Sequence, residues 1–554
     1  MKHLIHLFFI TLLSQTLIAQ VAPDKYFIEF NNKTGTHYSL SNPNDYLSER
    51  AIERRLRYNI AIDSCDLPVN PDYIQAVANA GVEILNVSKW LNGVTVYASS
   101  TSAIQSISNL PFVKSVNLAT KKKKKNKQSI DDSSMAPKPG YRQVKNDQDV
   151  LNYGLATPQT YLHNGQVLHN NGFRGQNMII AVTDAGFTGV DNQSVFDSLF
   201  INNRIISTRN YINSNEDIYR YSTHGTNVLS IIGGNLPGTM VGTAPEAHYI
   251  LLVTEDAASE HIIEEINWSC GAEFADSAGA DLINVSLGYF EYDFPYWSHQ
   301  VSHLDGNTAW VSKAAGIAAN RGMIVVVSAG NSGNEEIPFV ATPGDNEFVL
   351  TVGAVSYDSI IAGFSSIGPT ADGRIKPDVC AIGAGTFCSQ WGEILPGNGT
   401  SFAAPVLSGL IACLWQAFPN MTSVELIQAI KNSGHYASLP TNYYGFGIPD
   451  LGNLYLQLNT INQQQGTATP TIRVFPNPFG DTLNIQYSNM NTDLFEVVVI
   501  ASDGSTILKE SHRTAGEQSG IITLSNTKSL LPGSYVISVA ADKHVINQKI
   551  IKEP

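Results

Sequence analysis

Apolar and polar positions alternate with different periods along the 554-residue chain, and the changes of period divide it. Over residues 26–118 short apolar runs, such as 26–30 and 93–97, follow the order strand, helix, helix, strand, strand, which predicts a small α+β domain. Over residues 150–458 near-continuous β-branched runs at 178–183, 249–253, 281–286, 323–328 and 348–355 alternate with alanine-rich helical stretches. Strands that are apolar on both faces and separated by helices predict an α/β domain built on a parallel sheet covered on two sides. Beyond residue 470, short strands at 483–487, 495–500, 521–524 and 533–539 are interrupted by no clear helix, which predicts an all-β sandwich.

The segments between these blocks are polar. Residues 121–149 open on five consecutive lysines with a sixth at Lys127 and continue through Asp, Ser and Pro, a composition that cannot pack and predicts an exposed linker. A solvated charge run with no processing role is the plainer reading of the lysines. Residues 459–470, with Gln463-Gln464-Gln465-Gly466 and a Thr/Pro tail, predict a second linker.

Composition narrows the class. Hydrophobic residues make up 43% and charged residues 15%, ordinary for folded protein, and the length requires more than one core. A net charge of -14 argues against a nucleic-acid partner, whose phosphates need a basic face. Met1-Lys2-His3, the apolar stretch 4–13 and the small residue Ala19 have the order of a secretory signal peptide over residues 1–19. No later apolar run reads as a membrane span, so the mature protein is expected outside the cytoplasm without a transmembrane segment. The five cysteines are too few to carry stability. Cys380 and Cys388 are close enough to close a small loop or to stand as free thiols; Cys413 reads as a core residue, and no spacing suggests zinc.

Four side chains of the central block carry candidate chemistry. Asp184 closes an apolar run and precedes Ala185-Gly186, so its carboxylate is expected at a strand's carboxyl edge; taken alone it reads more readily as a turn or helix-capping aspartate. His224 lies in Ser222-Thr223-His224-Gly225-Thr226, where Gly225 permits close approach of another backbone. Ser401 lies in Gly399-Thr400-Ser401-Phe402-Ala403-Ala404-Pro405, ahead of an apolar helix predicted over 403–418 with Pro405 in its first turn. A serine there is ordinarily a helix cap, but small neighbours leave the hydroxyl open and the helix's free amides favour negative charge beside it. Asn331 ends the run 325–333, next to Gly330, and offers an amide donor where a turn residue is the usual reading.

Taken together, these segments resemble the subtilisin-like serine proteases over residues 150–458. The chain order Asp, His, Ser matches that family, and Ala403 breaks the G-x-S-x-G elbow of the esterases. The resemblance implies a three-layer α/β fold and a serine endopeptidase in which Asp184 orients, His224 is general base and acid, Ser401 is the nucleophile, and Asn331 with the Ser401 N–H binds the oxyanion. It further implies that Ser286-Leu287-Gly288 pairs with substrate backbone, that the floor of the side-chain pocket lies near Ala329 and Gly330, and that peptide bonds are cut through an acyl-enzyme. Phe364-Ser365-Ser366-Ile367-Gly368-Pro369 and Lys376-Pro377-Asp378 fit the same family. Ala185, Asn227 and Ile382 depart from common family residues but remove no proton-transfer group. No cofactor is implied for the chemistry; structural calcium is common in the family, with Asp305-Gly306-Asn307 as a candidate loop or, more simply, a helix cap.

The flanks carry resemblances of their own. Residues 20–120 look like the propeptide of such enzymes, an intramolecular inhibitor and folding assistant, with the linker at 121–149 as the processing region. Val474-Phe475-Pro476-Asn477-Pro478-Phe479 and Leu530-Leu531-Pro532-Gly533-Ser534-Tyr535 resemble the sorting domain of type IX secretion substrates, placed at 471–554. The expected partners are protein or peptide substrates, the chain's own propeptide and a secretion machinery, with export through the periplasm to the surface or the medium. The rival expectation is a catalytically silent adhesive protein on the same scaffold.

Overall fold

The computed structural model describes residues 24–119, 149–465 and 471–553, except 489, 491, 502, 515–518, 525, 542 and 543. The signal peptide and the lysine run lie outside the described residues. The chain forms two compact units, residues 1–455 and 456–554.

The first unit opens with β1 (Lys25–Phe30), α1 (Glu49–Arg57), α2 (Pro71–Ala78), β2 (Glu83–Ser88), β3 (Gly93–Tyr97), α3 (Thr101–Ser108) and β4 (Val113–Leu118). The apolar pattern predicts the elements through β3 but not the closing helix and strand, because α3 is serine-rich and short. The strands form an antiparallel sheet in the order β2-β3-β1-β4 around Ile28, Phe30, Val77, Val94, Val96 and Ile107.

The chain continues through α4 (Thr157–Tyr161), α5 (Gln166–Asn170), β5 (Ile179–Asp184), α6 (Asp197–Ile201), β6 (Ile205–Asn210), α7 (His224–Gly233) and a small hairpin of β7 (Asn235–Leu236) and β8 (Met240–Val241). Next come β9 (His248–Val253), α8 (Ile263–Ala278), β10 (Leu282–Val285), α9 (Trp310–Asn320), β11 (Ile324–Ser328), β12 (Leu350–Val355) and β13 (Val379–Ile382). A hairpin of β14 (Ala384–Gln390) and β15 (Glu393–Asn398) leads to α10 (Thr400–Ala417), α11 (Ser423–Asn432) and α12 (Leu451–Gln465). Seven strands pair in parallel in the order β13-β12-β11-β10-β5-β9-β6. Helices α8 and α9 cover one face, where Trp268, Ala272, Val311 and Ala315 meet Ala181, Ile283 and Val325; α7 and α10 cover the other. This is a three-layer α/β domain. The chain leaves β5 toward β9 on one side and returns to β10 on the other, so the carboxyl end of β5 is a switch point, where open α/β sheets form their sites.

Two expectations change here, and one choice left open is decided. Helix α10 begins at Thr400, so Ser401 lies in its first turn and Pro405 inside it. It is also long and apolar enough to cross a membrane by length and composition, yet 83% of it is buried in this domain as a core helix. Helix α12 runs through the glutamines expected to be linker, since glutamine is a good helix former and no proline intervenes before Pro470. Cys380 and Cys388 are both buried free thiols.

In the second unit β16 (Thr471–Phe475), β17 (Leu483–Ser488) and β20 (Gly520–Leu524) form one sheet. The other joins β18 (Leu494–Ala501), β19 (Thr506–Arg513), β21 (Gly533–Ala541) and β22 (His544–Lys552) in the order β19-β18-β21-β22. Alternate residues Leu483, Ile485, Phe495, Val497, Val499, Ile537 and Val539 fill the core, as a two-sheet sandwich requires.

Candidate active site

Asp184, the last residue of β5, is fully buried, and its carboxylate accepts from the neighbouring Ala185 N–H at 2.8 Å. His224 opens α7. Its Nδ1 lies 2.9 and 3.0 Å from the two oxygens of Asp184, so the ring donates there and leaves Nε2 as its basic nitrogen. This approach needs Gly225: a Cβ there would sit 2.4 Å from the Gly186 carbonyl oxygen and 2.9 Å from Asp184 Cβ. The imidazole stacks beside Phe402, centroids 6.0 Å apart, which sets it next to Ser401 on α10.

Ser401 and Ser286 are tied twice. The Ser286 hydroxyl donates to the Ser401 carbonyl at 2.8 Å, and the Ser401 hydroxyl donates to the Ser286 carbonyl at 3.2 Å. A buried chain stands behind this pair. Ser408 Oγ donates to Asn284 Oδ1 at 2.8 Å, and Asn284 Nδ2 donates to Ser286 Oγ at 3.0 Å.

Asn331 is oriented by Thr400, whose N–H and hydroxyl both donate to Asn331 Oδ1 at 3.0 Å. Its Nδ2 therefore turns toward Gly399, which has φ 153°. A Cβ on Gly399 would lie 3.7 Å from the Ser401 nitrogen and 3.8 Å from Asn331 Nδ2, so the glycine leaves a gap faced by two donors at a helix N-terminus. A developing negative charge is favoured in such a gap.

Ser286-Leu287-Gly288 continues β10 beyond its last paired residue, with Gly288 exposed. A Cβ on Gly288 or on Gly330 would lie 3.1 or 3.6 Å from Ala341 Cβ, so Ala341 stands between the two glycines. Ala329 is fully buried beside Gly330. The signal for Ala341 was absent from the sequence, because it sits in an irregular stretch before Thr342-Pro343. Asn284 did leave one, as a polar residue inside an apolar strand.

The segment after Gly288 is held from below by Glu265 on α8. Its carboxylate accepts from Tyr292 Oη at 2.5 Å, His299 Nε2 at 2.6 Å and the Val311 N–H at 3.1 Å. Burial alone would lower the His299 pKa, but the bond to Glu265 raises it above its ordinary value. Asp305 accepts from the N–H groups of Asn307 and Thr308 at 2.8 and 2.7 Å and from the Thr308 hydroxyl at 2.8 Å, so its side chain closes the turn. Among the described residues no group of three or more His, Cys, Asp or Glu side chains gathers as metal ligands.

The four-stranded domain covers α8 and α9. Glu273 accepts from the N–H groups of Lys89 and Trp90 at 2.7 and 3.1 Å and from Ser88 Oγ at 2.5 Å, and Phe27 packs edge-on against Trp310 at 5.5 Å. The end of β4 reaches Ile262, Phe294, Trp297 and Trp310, around a cavity of about 610 Å³.

Comparison with known proteins places names beside this geometry. The Subtilase family matches residues 175–455, the peptidase S8 propeptide domain of Bacteroidota residues 25–134, and the secretion system C-terminal sorting domain residues 473–553. The chain is 28% identical over 326 residues to the serine protease AprX of Bacillus subtilis (strain 168), covering 53% of this chain and 68% of that one. It is 27% identical over 318 residues to subtilisin NAT of Bacillus subtilis subsp. natto, covering 56% and 74%.

Proposed function

Because this chain belongs to the subtilase family and is a secreted serine endopeptidase with a propeptide and a sorting domain, we propose that Asp184, His224 and Ser401 are its catalytic triad. The observation that carries this reading is the gap beside Gly399, faced by the Ser401 N–H and Asn331 Nδ2. In this reading His224 Nε2 takes the Ser401 proton as Oγ bonds to the peptide carbonyl carbon, and the carbonyl oxygen becomes an oxyanion in that gap. Asp184 keeps the imidazole in the required tautomer and offsets the imidazolium charge. Collapse of the adduct expels the amine, which takes the proton from His224. Water then gives a proton to His224 as it attacks the acyl-enzyme, and the acid leaves with Ser401 restored.

Substrate backbone lies along Ser286-Leu287-Gly288 as an added strand, with Gly288, Gly330 and Ala341 walling the side-chain pocket. Residues 20–120 act as propeptide, the segment 121–149 is cut on activation, and residues 471–554 direct passage through the periplasm to the surface or the medium. The deciding experiment is labelling of the processed protein by a fluorophosphonate probe. Wild type is expected to label and Ser401→Ala not to; an unlabelled wild type ends the assignment.

A further inference from the structure

Helix α1 of the propeptide reaches a part of the catalytic domain far from the cleft. Its N-cap is Ser48, and it turns Arg50, Arg54 and Arg55 to one side. Arg54 is buried and donates to the carbonyl oxygens of Ala280 and Arg321 and to Asp276 Oδ1, the last at 2.5 Å. Arg55 is buried between Asp276 Oδ2 at 2.8 Å and Asp66 Oδ1 at 2.6 Å. Arg50 donates to the carbonyls of Gly279 and Asn177 and to Asp281. Just beyond α1, Tyr58 donates to the Pro419 carbonyl at 3.0 Å and stacks on Trp415 at 5.9 Å. In return Arg321 pairs with Asp63 at 2.7 Å.

These contacts fall at one end of the domain. Asn177, Ala280 with Asp281, and Arg321 immediately precede β5, β10 and β11, whose carboxyl ends carry Asp184, Ser286 and Asn331. A strand of this length separates the two ends by roughly 20 Å at about 3.3 Å per residue. Helix α10 measures the same span: from Ser401 to Trp415 is roughly 20 Å at about 1.5 Å per residue. The same domain therefore meets the base of the sheet through α1 and, separately, the outer helices through Glu273 on α8 and Trp310 at the start of α9.

We propose that the base of the catalytic domain, at the amino ends of β5, β10 and β11, is a second docking site that reads an arginine-bearing helix and holds the excised propeptide independently of the cleft. The receptor is built for guanidinium. Main-chain carbonyls and the Asp276 carboxylate accept from planar donors at fixed positions, a geometry Lys cannot reproduce. Burial would raise Asp276, but Arg54 and Arg55 outweigh it and hold the carboxyl below its ordinary pKa. Cutting the linker at 121–149 frees the tail that follows β4 and leaves this anchor engaged.

The test uses the full chain with Ser401→Ala, which removes self-digestion on the proposed reading of Ser401, and it measures release of the propeptide rather than activity. The catalytic portion is immobilised through a C-terminal tag, the lysine-rich linker is cut by an added lysine-specific endopeptidase, and loss of the propeptide is timed. Arg54→Gln is expected to speed release at least 10-fold, and Phe27→Ala, at α9, to multiply that effect, as two separate anchors require. Should Arg54→Gln fail to fold, Arg50→Ala, whose side chain is 38% exposed, is expected to speed release several-fold. Lys114→Ala, which breaks an exposed pair with Glu29, serves as the control and leaves the rate unchanged. Release as fast from the unsubstituted propeptide as from the Arg50 and Arg54 variants overturns the proposal.

Discussion

Ser286 and Ser401 exchange hydrogen bonds: each hydroxyl donates to the other's carbonyl, at 2.8 and 3.2 Å. The Ser401 carbonyl is available because the residue four positions on is Pro405, which has no N–H to close the helical turn. The proline thus frees an acceptor, and β10 supplies the donor that fixes the first turn of α10.

Ser286→Ala should therefore leave a part-buried carbonyl without its donor, at a cost of about 1 kcal/mol, and lower kcat through a looser Ser401. Pro405→Ala restores an N–H to the turn, so the double variant should regain stability that Ser286→Ala lost. Thermal unfolding of both singles and the double on an inactive Ser401→Ala background measures the coupling. Strict additivity would remove the link between proline and serine.

Thr400 should matter through Asn331. Removing its hydroxyl with Thr400→Val takes one of two bonds from Asn331 Oδ1 and the acceptor of the Gly330 N–H at 3.1 Å. Turnover is expected to fall about 10-fold and KM to change less, because Asn331 loses one of its two orienting bonds while Gly330, in the pocket wall, loses only the acceptor of its N–H. Asn331→Ala should cost about 10²- to 10³-fold in kcat, a magnitude carried over from the family's archetype. If Thr400→Val changes KM and spares kcat, Thr400 does not act through Asn331.

The parallel sheet was legible because strands buried on both faces are apolar at nearly every position, and the motifs stood out because glycine is forced where backbones touch, as at Gly225, or where φ is positive, as at Gly399. The supporting residues were less so. Asn284 was visible as a polar break in an apolar strand, whereas Ala341, Glu265 and Arg54 owe their positions to contacts between segments far apart in sequence, which no local period encodes. Helix α10 starts three residues before the position the sequence pattern predicts, because Pro405 stands inside the helix and not in its first turn.

Two buried histidines make the fold sensitive to acid. His163 Nδ1 donates to the Pro449 carbonyl at 2.9 Å, and His169 accepts from Tyr153 Oη at 2.7 Å and donates to the Thr243 carbonyl at 3.0 Å. Burial lowers both pKa values to about 4. Between about 6.5 and 4 the unfolded chain binds protons that the folded chain does not, so stability is full above 6.5 and declines as pH falls. Each histidine should contribute about 1.4 kcal/mol per pH unit in that window. Urea titrations of the Ser401→Ala chain at pH 7 and 5 should show this decline, and His169→Gln should remove one histidine's share; an unchanged slope in the variant would falsify the assignment.

Glu265 should shape substrate binding without touching the reacting atoms. Its two oxygens hold three donors, and two of these, Tyr292 and His299, lie in the segment that follows the Ser286-Leu287-Gly288 edge. The same segment is pinned on its other side, where the Tyr289 N–H donates to the Thr342 carbonyl at 2.9 Å and Phe290 packs on Phe339 at 3.8 Å. Glu265→Gln replaces one acceptor oxygen by an NH₂ facing donors, so at least one bond must break and the segment loosens. Peptides long enough to lie along the edge should show KM raised several-fold with kcat retained. Short substrates that stop before the edge should be indifferent, which separates a loosened wall from a damaged fold. Equal losses on long and short substrates would mean that Glu265 serves stability alone.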